Sequence, residues 1–302
     1  MIEKASDHFH KANDNGHNKL VPALVITLLF MFVEIAGGII TGSLALLADA
    51  GHMAIDNAAL MLALWAGRQA NIPATSTHTF GYRRYKILAA FINGLTLLLL
   101  SAWIIFEAVQ RLFTPPDILG GPMLAVAAGG LIVNLVVFKI LHTGRMDINV
   151  RVATAHVVGD LMGSLAAIVA AVIILATGWL QADPLLSIVV ALIILKSGRN
   201  FVRETWHVLV EGIPPGFDQE ALKTELPDAV DGVIDVHHIH AWSLTTEKPY
   251  FLTLHLTVKQ DISNDVVLKA TKEFVQKRFD IDHITIQVEQ NHCPDHDTHH
   301  QH

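Results

Sequence analysis

Long apolar segments separated by short polar turns make up the first two thirds of the chain. Each segment has enough consecutive apolar residues to cross a hydrocarbon layer that is about 30 Å thick. We therefore expect six transmembrane helices, at residues 20–42, 44–66, 86–111, 122–142, 152–177 and 184–204. An even number of spans places both termini on the same side of the membrane.

After residue 206 the hydrophobic pattern becomes that of a small soluble domain. The segments DQEALKTEL and NDVVLKATKEFVQKRF have helical spacing, whereas VIDVHHIHAWSL, YFLTLHLTVK and HITIQVEQ alternate apolar and polar residues as strands do. Their order predicts a small α+β cytoplasmic domain with the arrangement αββαβ. We expect a histidine-containing tail, a membrane domain, the α+β domain and a histidine-rich tail, at residues 1–19, 20–205, 206–290 and 291–302.

The two faces of the predicted strands differ in chemistry. We expect the even-numbered apolar residues of the first strand to pack against the helices; they are Ile234, Val236, Trp242 and Leu244. The opposite face of the sheet carries polar side chains, among them Asp235, His237, His255 and Glu289. A short turn near Thr246 would place His255 directly beside His237 on the neighbouring strand.

The composition agrees with a membrane protein that has a soluble domain. Hydrophobic residues make up 52% of the 302 residues and charged residues 16%, whereas soluble proteins carry about 25% charged residues. The net charge of −7 argues against a nucleic acid as partner. The single cysteine, Cys293, excludes an intrachain disulfide. The 18 histidines, many of them in the two tails, indicate metal binding, with an ordinary polar tail as the alternative for the C-terminal group.

Lysine and arginine are unevenly distributed between the two sets of loops. Residues 67–86 and 143–151 carry six of them and the N-terminal tail carries three, whereas Arg111 is the one in the opposite loops. Positively charged loops face the cytoplasm. We therefore expect an integral, multi-pass membrane protein with both termini and the soluble domain in the cytoplasm.

Two pairs of polar residues interrupt the second and fifth apolar segments. His52 and Asp56 lie four residues apart, as do His156 and Asp160, so the members of each pair share one face of a helix. If the two helices face each other, two imidazoles and two carboxylates converge, which suits tetrahedral Zn²⁺. Ca²⁺ and Mg²⁺ require more oxygen ligands, and Cu⁺ prefers sulfur.

A single pair of this spacing is more often a hydrogen bond within one helix than half of a metal site. Two pairs in two spans favour a shared site, because a charged side chain at the membrane centre costs about 2.5–3.5 kcal/mol on translocon scales and is usually functional. We therefore predict that the four residues form a transport site. Such ligands lose protons when they bind metal, and histidine titrates near neutral pH, so metal movement would be coupled to protons.

Several motifs resemble the cation diffusion facilitator family, in particular its zinc-transporting branch. They extend over nearly the whole chain: GSLALLADAGHMAIDNAALMLAL, HTFGYRR, RVATAHVVGDLMGSLAAI, ADPLLSI, VHHIHAWSL and ITIQVE. The resemblance implies a six-helix membrane domain, a metallochaperone-like cytoplasmic domain and a homodimer. It also implies zinc export from the cytoplasm by zinc-for-proton antiport across a bacterial inner membrane. The ligand set distinguishes Zn²⁺ only loosely from other divalent cations, so Cd²⁺ or other divalent cations are expected as further substrates.

A second metal site is predicted in the cytoplasmic domain. His237 and His255 on adjacent strands would form a regulatory zinc site with Glu289, and the resemblance points to the same positions. Ordinary surface histidines are the alternative. In the loop at 67–86, Tyr82 stands where some members of the family have a second histidine beside the equivalent of His78, so a complete metal site is not expected there.

Further polar residues lie inside the predicted spans. Asp49 precedes His52 by one turn and could be an outer partner of the metal site, a proton relay or an interfacial carboxylate. The others are expected mainly to form hydrogen bonds between packed helices; they are Glu34, Asn93, Glu107 and Asn134.

Two other classes of function agree less well with the sequence than a transporter does. An intramembrane metalloenzyme would require an open coordination position and a general base, as in the motif HExxH, which this sequence does not contain. A membrane-anchored metal sensor would leave the ligands inside the bilayer unexplained. A secondary active transporter accounts for them, so we predict a transporter and not an enzyme.

Overall fold

The computed structural model describes most of the chain between the two tails. The described residues are Pro22, 25–142, 148–246 and 248–290, and the side chains of residues 141–156 are not among them. The predicted tails at 1–19 and 291–302 lie outside the described residues. The chain divides into two compact units, Met1–Trp65 with Ile92–Val202 and Ala66–Phe91 with Arg203–His302.

Six helices correspond to the six predicted spans. They are α1 (Val25–Thr41), α2 (Leu44–Ala70), α3 (Arg84–Phe113), α4 (Gly120–His142), α5 (Ile148–Thr177) and α6 (Ala182–Leu209). In the described part of the chain, α3 to α6 are long and apolar enough to cross a membrane, and α1 is apolar but shorter. Helix α2, the predicted second span, is long enough but is not among these apolar helices. The predicted membrane α-helical class is confirmed.

Small side chains let α2, α4 and α5 pack closely. Ala167, Ala170 and Ala171 of α5 are fully buried in one apolar cluster with Leu46 of α2 and Met123 of α4. Helix pairs in membranes associate through packing of this kind, because small residues allow the backbones to approach each other. The helix that carries Asp160 is thereby held against the helix that carries His52.

The start of α2 is fixed by a carboxylate from α6. Asp183 is fully buried and accepts hydrogen bonds from Ser43 Oγ (2.6 Å) and from the backbone N–H groups of Leu44 (2.8 Å) and Ala45 (3.2 Å). The first N–H groups of a helix have no partner within that helix. Asp183 therefore supplies the cap of α2 from a distant part of the sequence.

The soluble domain has the predicted αββαβ order. Its elements are α7 (Gln219–Ala229), β1 (Val233–Ser243), β2 (Tyr250–Val258), α8 (Asn264–Phe279) and β3 (His283–Glu289). Strand β2 lies between the other two, antiparallel to β1 and parallel to β3. Leu222 and Leu226 of α7 and Val267 and Val275 of α8 are fully buried in one apolar cluster with residues of β1 and β2. The α+β class of this domain is confirmed.

The expected core face of β1 is only partly correct. Val236 and Leu244 are buried as predicted, but Ile234 is 55% exposed and Trp242 is only half-buried. Strict alternation of faces along the whole segment is therefore wrong.

Two irregularities in the strand pairing explain the difference. The register of β1 against β2 shifts between Val233 and Asp235, next to the exposed Ile234, and again between His237 and His240. At the second shift, a β-bulge, His238 adopts a left-handed conformation with φ of 46°. An extra residue in one strand reverses the faces that follow it. Ile239 and Ala241 are consequently buried after the bulge, while His237 before it keeps its polar face.

An exposed ion pair joins α7 to α8. Arg278 donates hydrogen bonds to both carboxylate oxygens of Glu225, at 2.8 and 3.0 Å. These hydrogen bonds and the positive charge of Arg278 lower the pKa of the Glu225 carboxyl. Water and salt screen a pair at this surface, so it contributes little to the stability of the domain.

Candidate metal centres

The first candidate centre joins α2 and α5. Ligand atoms of His52, Asp56 and Asp160 all lie within 4.8 Å of one another. His52 Nε2 is 3.7 Å from Asp56 Oδ2, one turn further along α2. Asp160 is almost completely buried. One imidazole and two carboxylates from two helices thus lie close together. All three belong to the first compact unit, Met1–Trp65 with Ile92–Val202, which is called the membrane unit below.

His156, the fourth predicted ligand, belongs to α5 and precedes Asp160 by four residues. Its side chain lies outside the described residues, so its part in this centre stays a prediction. Residues four apart share one face of a helix, which is the reason for that prediction.

Two glycines of α5 face α2 beside this centre. A Cβ atom on Gly159 would lie 3.7 Å from His52 Nε2, which is an ordinary contact. A Cβ atom on Gly163 would instead overlap the carboxylate of Asp49. Helix α5 therefore packs more tightly against α2 beside Asp49 than beside His52.

We expect Gly163→Ala to destabilise the membrane unit, because overpacking of a tight interface costs about 1–3 kcal/mol. Gly67→Ala within α2 is the matched control, since a Cβ atom there would meet nothing within 4 Å, and alanine is favoured over glycine in a helix by about 1 kcal/mol. Thermal unfolding of the two variants in detergent should show a lower midpoint for Gly163→Ala and an unchanged or higher one for Gly67→Ala. Equal midpoints would contradict the tight contact.

A short chain of hydrogen bonds lies one turn from His52. Asn134 Nδ2 donates to Ser164 Oγ and Ser164 Oγ donates to Asp49 Oδ2, each at 3.3 Å. All three side chains are buried, and Asp49 is only 2% exposed, so it is an interior carboxylate and not an interfacial one. The sequence indicated Asp49 and Asn134 but not Ser164. The available signal was its position four residues after Asp160, on the same helix face.

The second candidate centre lies on one face of the cytoplasmic sheet. His237 of β1 pairs with His255 of β2, which confirms the predicted register at this point. Glu289 Oε2 is 3.2 Å from His237 Nε2, and Glu289 Oε1 is 3.0 Å from His255 Nδ1. Ligand atoms of the three residues all lie within 4.8 Å of one another. A buried carboxylate at the end of β3 thus contacts both imidazoles.

Two further side chains surround this centre. Asp235 Oδ2 is 3.0 Å from His237 Nδ1, which leaves His237 Nε2 facing Glu289. A carboxylate behind a ligating histidine fixes the tautomer and raises the basicity of the ring. The ring of His238 lies 4.8 Å from that of His255, between centroids, so the bulge adds a third imidazole to this face.

The side chain of the loop histidine His78 contacts two neighbouring residues. Its ring stacks on Tyr82 with 4.5 Å between centroids, and its Nδ1 is 3.1 Å from Thr77 Oγ1. Within the part of the chain that the structure describes, His78 belongs to no group of three potential metal ligands.

Two protein families match the sequence and together cover almost all of it. The family described as cation efflux transmembrane domain matches residues 20–210. The family described as cation efflux protein, cytoplasmic domain, matches residues 214–291. The first match contains the membrane centre, and the second contains the cytoplasmic one.

Characterised relatives are similar along nearly their whole length. A zinc transporter ZitB of Pectobacterium atrosepticum is 45% identical over 95% of this chain and 90% of its own. The zinc transporter ZitB of Escherichia coli is 42% identical over 96% of this chain and 93% of its own. A protein of Bacillus subtilis named cadmium, cobalt and zinc/H(+)-K(+) antiporter is 38% identical over 93% of this chain and 91% of its own.

Proposed function

The chain belongs to the cation efflux family, the cation diffusion facilitators, and on that premise we propose that it exports zinc from the cytoplasm in exchange for protons. Membership of this family makes it a membrane transporter and not an enzyme. The relatives named as zinc transporters support zinc as the substrate. The Bacillus relative, named for cadmium, cobalt and zinc, supports Cd²⁺ and Co²⁺ as further substrates.

One observation carries the proposed transport site. His52 and Asp56 come from α2 and Asp160 comes from α5, yet their ligand atoms lie within 4.8 Å of one another. With His156 as the fourth ligand, the set would contain two imidazoles and two carboxylates, which match the tetrahedral coordination of Zn²⁺ and balance its charge. Carboxylates inside a bilayer are costly unless a partner compensates them, and a transported cation is such a partner.

The same ligands provide the coupling to protons. A histidine must be neutral and an aspartate ionised before either can bind metal, so zinc binding releases protons and zinc release takes them up. We propose that the site alternates between a zinc-loaded and a protonated state while it faces opposite sides of the membrane. An exchange of this kind makes the proton gradient the driving force for zinc export.

The cytoplasmic domain is proposed to sense zinc and to hold two copies of the chain together. His237, His255 and Glu289 supply three ligand atoms on one face of the sheet, and a zinc ion there would report the cytoplasmic concentration. We further propose that both termini lie in the cytoplasm and that the protein resides in a bacterial inner membrane. The uneven distribution of lysine and arginine supports this orientation.

Zinc uptake into proteoliposomes that contain a zinc-sensitive dye tests the function directly. With an acidic interior, we expect zinc to accumulate, because each pH unit supplies about 1.4 kcal/mol per exchanged proton, or about tenfold in concentration ratio. A protonophore should abolish the accumulation. Uptake that is independent of the pH gradient would contradict proton exchange, and a chain that moves no zinc at all would contradict the function itself.

A further inference from the structure

A second polar cluster lies inside the membrane unit beside the proposed zinc site. It is formed by four buried side chains from four helices: Glu34 of α1, Asp49 of α2, Asn134 of α4 and Ser164 of α5. All four offer oxygen atoms, and none is among the proposed zinc ligands. Two carboxylates at this depth require an explanation of their own.

The cluster lacks hydrogen-bond donors for Glu34. Ser164 donates to Asp49, and Asn134 donates to Ser164, but no donor of the described residues reaches either carboxylate oxygen of Glu34 or the side-chain oxygen of Asn134. The polar group that faces Glu34 is the carboxylate of Asp49. Two ionised carboxylates are both acceptors, so they can share a contact only with a cation between them.

The backbone is shaped to admit these carboxylates. A Cβ atom on Gly130 would lie 2.8 Å from Glu34 Oε1 and 3.0 Å from Ser164 Oγ, and a Cβ atom on Gly163 would overlap Asp49. Glycine at both positions leaves room that any larger residue would fill. Glu34 and Asp49 therefore pack closely against the backbone of α4 and α5 at these two glycines.

Among the described residues, the charged side chains that act on Glu34 are both carboxylates. Glu34 is close enough to both Asp49 and Asp160 for their negative charges to act on it. Buried carboxylates without a compensating positive charge are strongly disfavoured. The cluster is therefore expected to bind positive charge whenever the neighbouring zinc site is empty.

We propose that Glu34 and Asp49 form a separate site for a monovalent counter-cation, a proton or an alkali ion, which is exchanged against zinc. This proposal rests on the proposed antiport function. The four side chains offer oxygen ligands and Asn134 an amide nitrogen that donates a hydrogen bond, and a set without imidazole or sulfur does not favour zinc. A single positive charge between the two carboxylates satisfies both.

The two sites occupy successive turns of the same two helices. Asp49 precedes His52 by three residues on α2, and Ser164 follows Asp160 by four residues on α5. A zinc ion at His52 and Asp160 would repel a cation held by Asp49 and Glu34, and the reverse holds equally. Binding at one site therefore promotes release from the other, which is the requirement for exchange.

Counter-ion coupling in the full-length protein tests the proposal. Glu34→Gln and Asp49→Asn are compared with the parent in proteoliposomes, and Glu107→Gln is the matched control, since that carboxylate of α3 is paired with Arg111 instead. In protein that also carries Glu289→Gln, so that the cytoplasmic centre does not contribute, we expect both test variants still to bind zinc in detergent. The zinc accumulation ratio driven by one pH unit should fall about tenfold for each proton that is no longer exchanged, while Glu107→Gln keeps the parent ratio.

A second set of vesicles, with equal pH on both sides and a gradient of K⁺ or Na⁺, shows whether the bound cation is a proton or an alkali ion. If the alkali gradient drives zinc uptake by the parent and not by the two variants, the site holds an alkali ion. If the alkali gradient drives no uptake, and the variants lose only the uptake that the pH gradient drives, the site holds a proton. Unchanged responses to both gradients would overturn the proposal, as would loss of zinc binding in both variants. A parent that moves no zinc would instead refute the proposed function.

Ser164→Ala keeps the test decisive if the carboxylate variants aggregate. It removes one oxygen and the hydrogen bond to Asp49 while it leaves both charges in place. A reduced coupling ratio in a protein that elutes as the parent does in size-exclusion chromatography supports the site. Unchanged coupling in that variant contradicts it.

Discussion

Asp160→Asn and Asp56→Asn are each expected to reduce zinc transport at least about 100-fold, since even outer partners of metal ligands contribute 10- to 100-fold. Each change removes one of the carboxylates that face each other across α2 and α5. An amide oxygen is a weak zinc ligand, and the loss of one negative charge leaves the divalent ion incompletely neutralised where the dielectric constant is low. The measurement is the initial rate of zinc uptake into proteoliposomes driven by a pH gradient.

Asp117→Asn is the matched control, because it removes the same charge from the connection between α3 and α4. The control should transport zinc at the parent rate. If both test variants fold and still transport zinc, the facing carboxylates are structural and the zinc path lies elsewhere. His156→Ala extends the test to the fourth proposed ligand, for which the same loss is expected.

The membrane centre was largely predictable because the length of the apolar segments and the spacing of their polar residues both indicate helices. Apolar segments of sufficient length specify helices in a bilayer, and a spacing of four residues places His52 and Asp56 on one face of such a helix. The remaining step, that α2 meets α5, was an inference from the repetition of the motif. The structure places Asp160 within reach of both residues.

Contacts between distant helices were not predictable in the same way. Asp183 caps α2, and Ser164 binds Asp49, but the periodicity of one helix shows only which face is polar and not which helix will cover it. The small residues that permit close approach, such as Gly163, gave no signal of their own. These contacts depend on tertiary packing.

The cytoplasmic sheet shows the limit of strand patterns. A short turn and alternating faces placed His255 beside His237 correctly. The same alternation failed beyond His237, because the bulge at His238 reverses the faces that follow. A bulge is favoured by local backbone geometry and by what the strand must present, so apolar alternation alone does not reveal it.

The second large effect is expected at the cytoplasmic centre, where His237, His255 and Glu289 are proposed to bind zinc. Glu289→Gln is expected to lower the zinc affinity of this centre at least about 10- to 100-fold, because the one carboxylate that contacts both His237 and His255 is lost. Bound zinc is measured on full-length protein that also carries Asp160→Asn, so that the membrane centre does not contribute. Glu273→Gln on α8, an exposed carboxylate paired with Lys269, is the matched control.

Thermal unfolding separates loss of a ligand from loss of structure. Without zinc, the protein with Asp160→Asn and Glu289→Gln should be at least as stable as the background, which carries Asp160→Asn alone. The reason is that a carboxylate that is 6% exposed no longer has to be buried with its charge. With zinc, the background should gain about 2.7 kcal/mol at a zinc concentration 100 times the dissociation constant, and the variant should gain almost nothing. Equal stabilisation by zinc would show that the cluster is an ordinary ion pair of surface histidines. A variant that is less stable without zinc would show that Glu289 supports the sheet and not the metal.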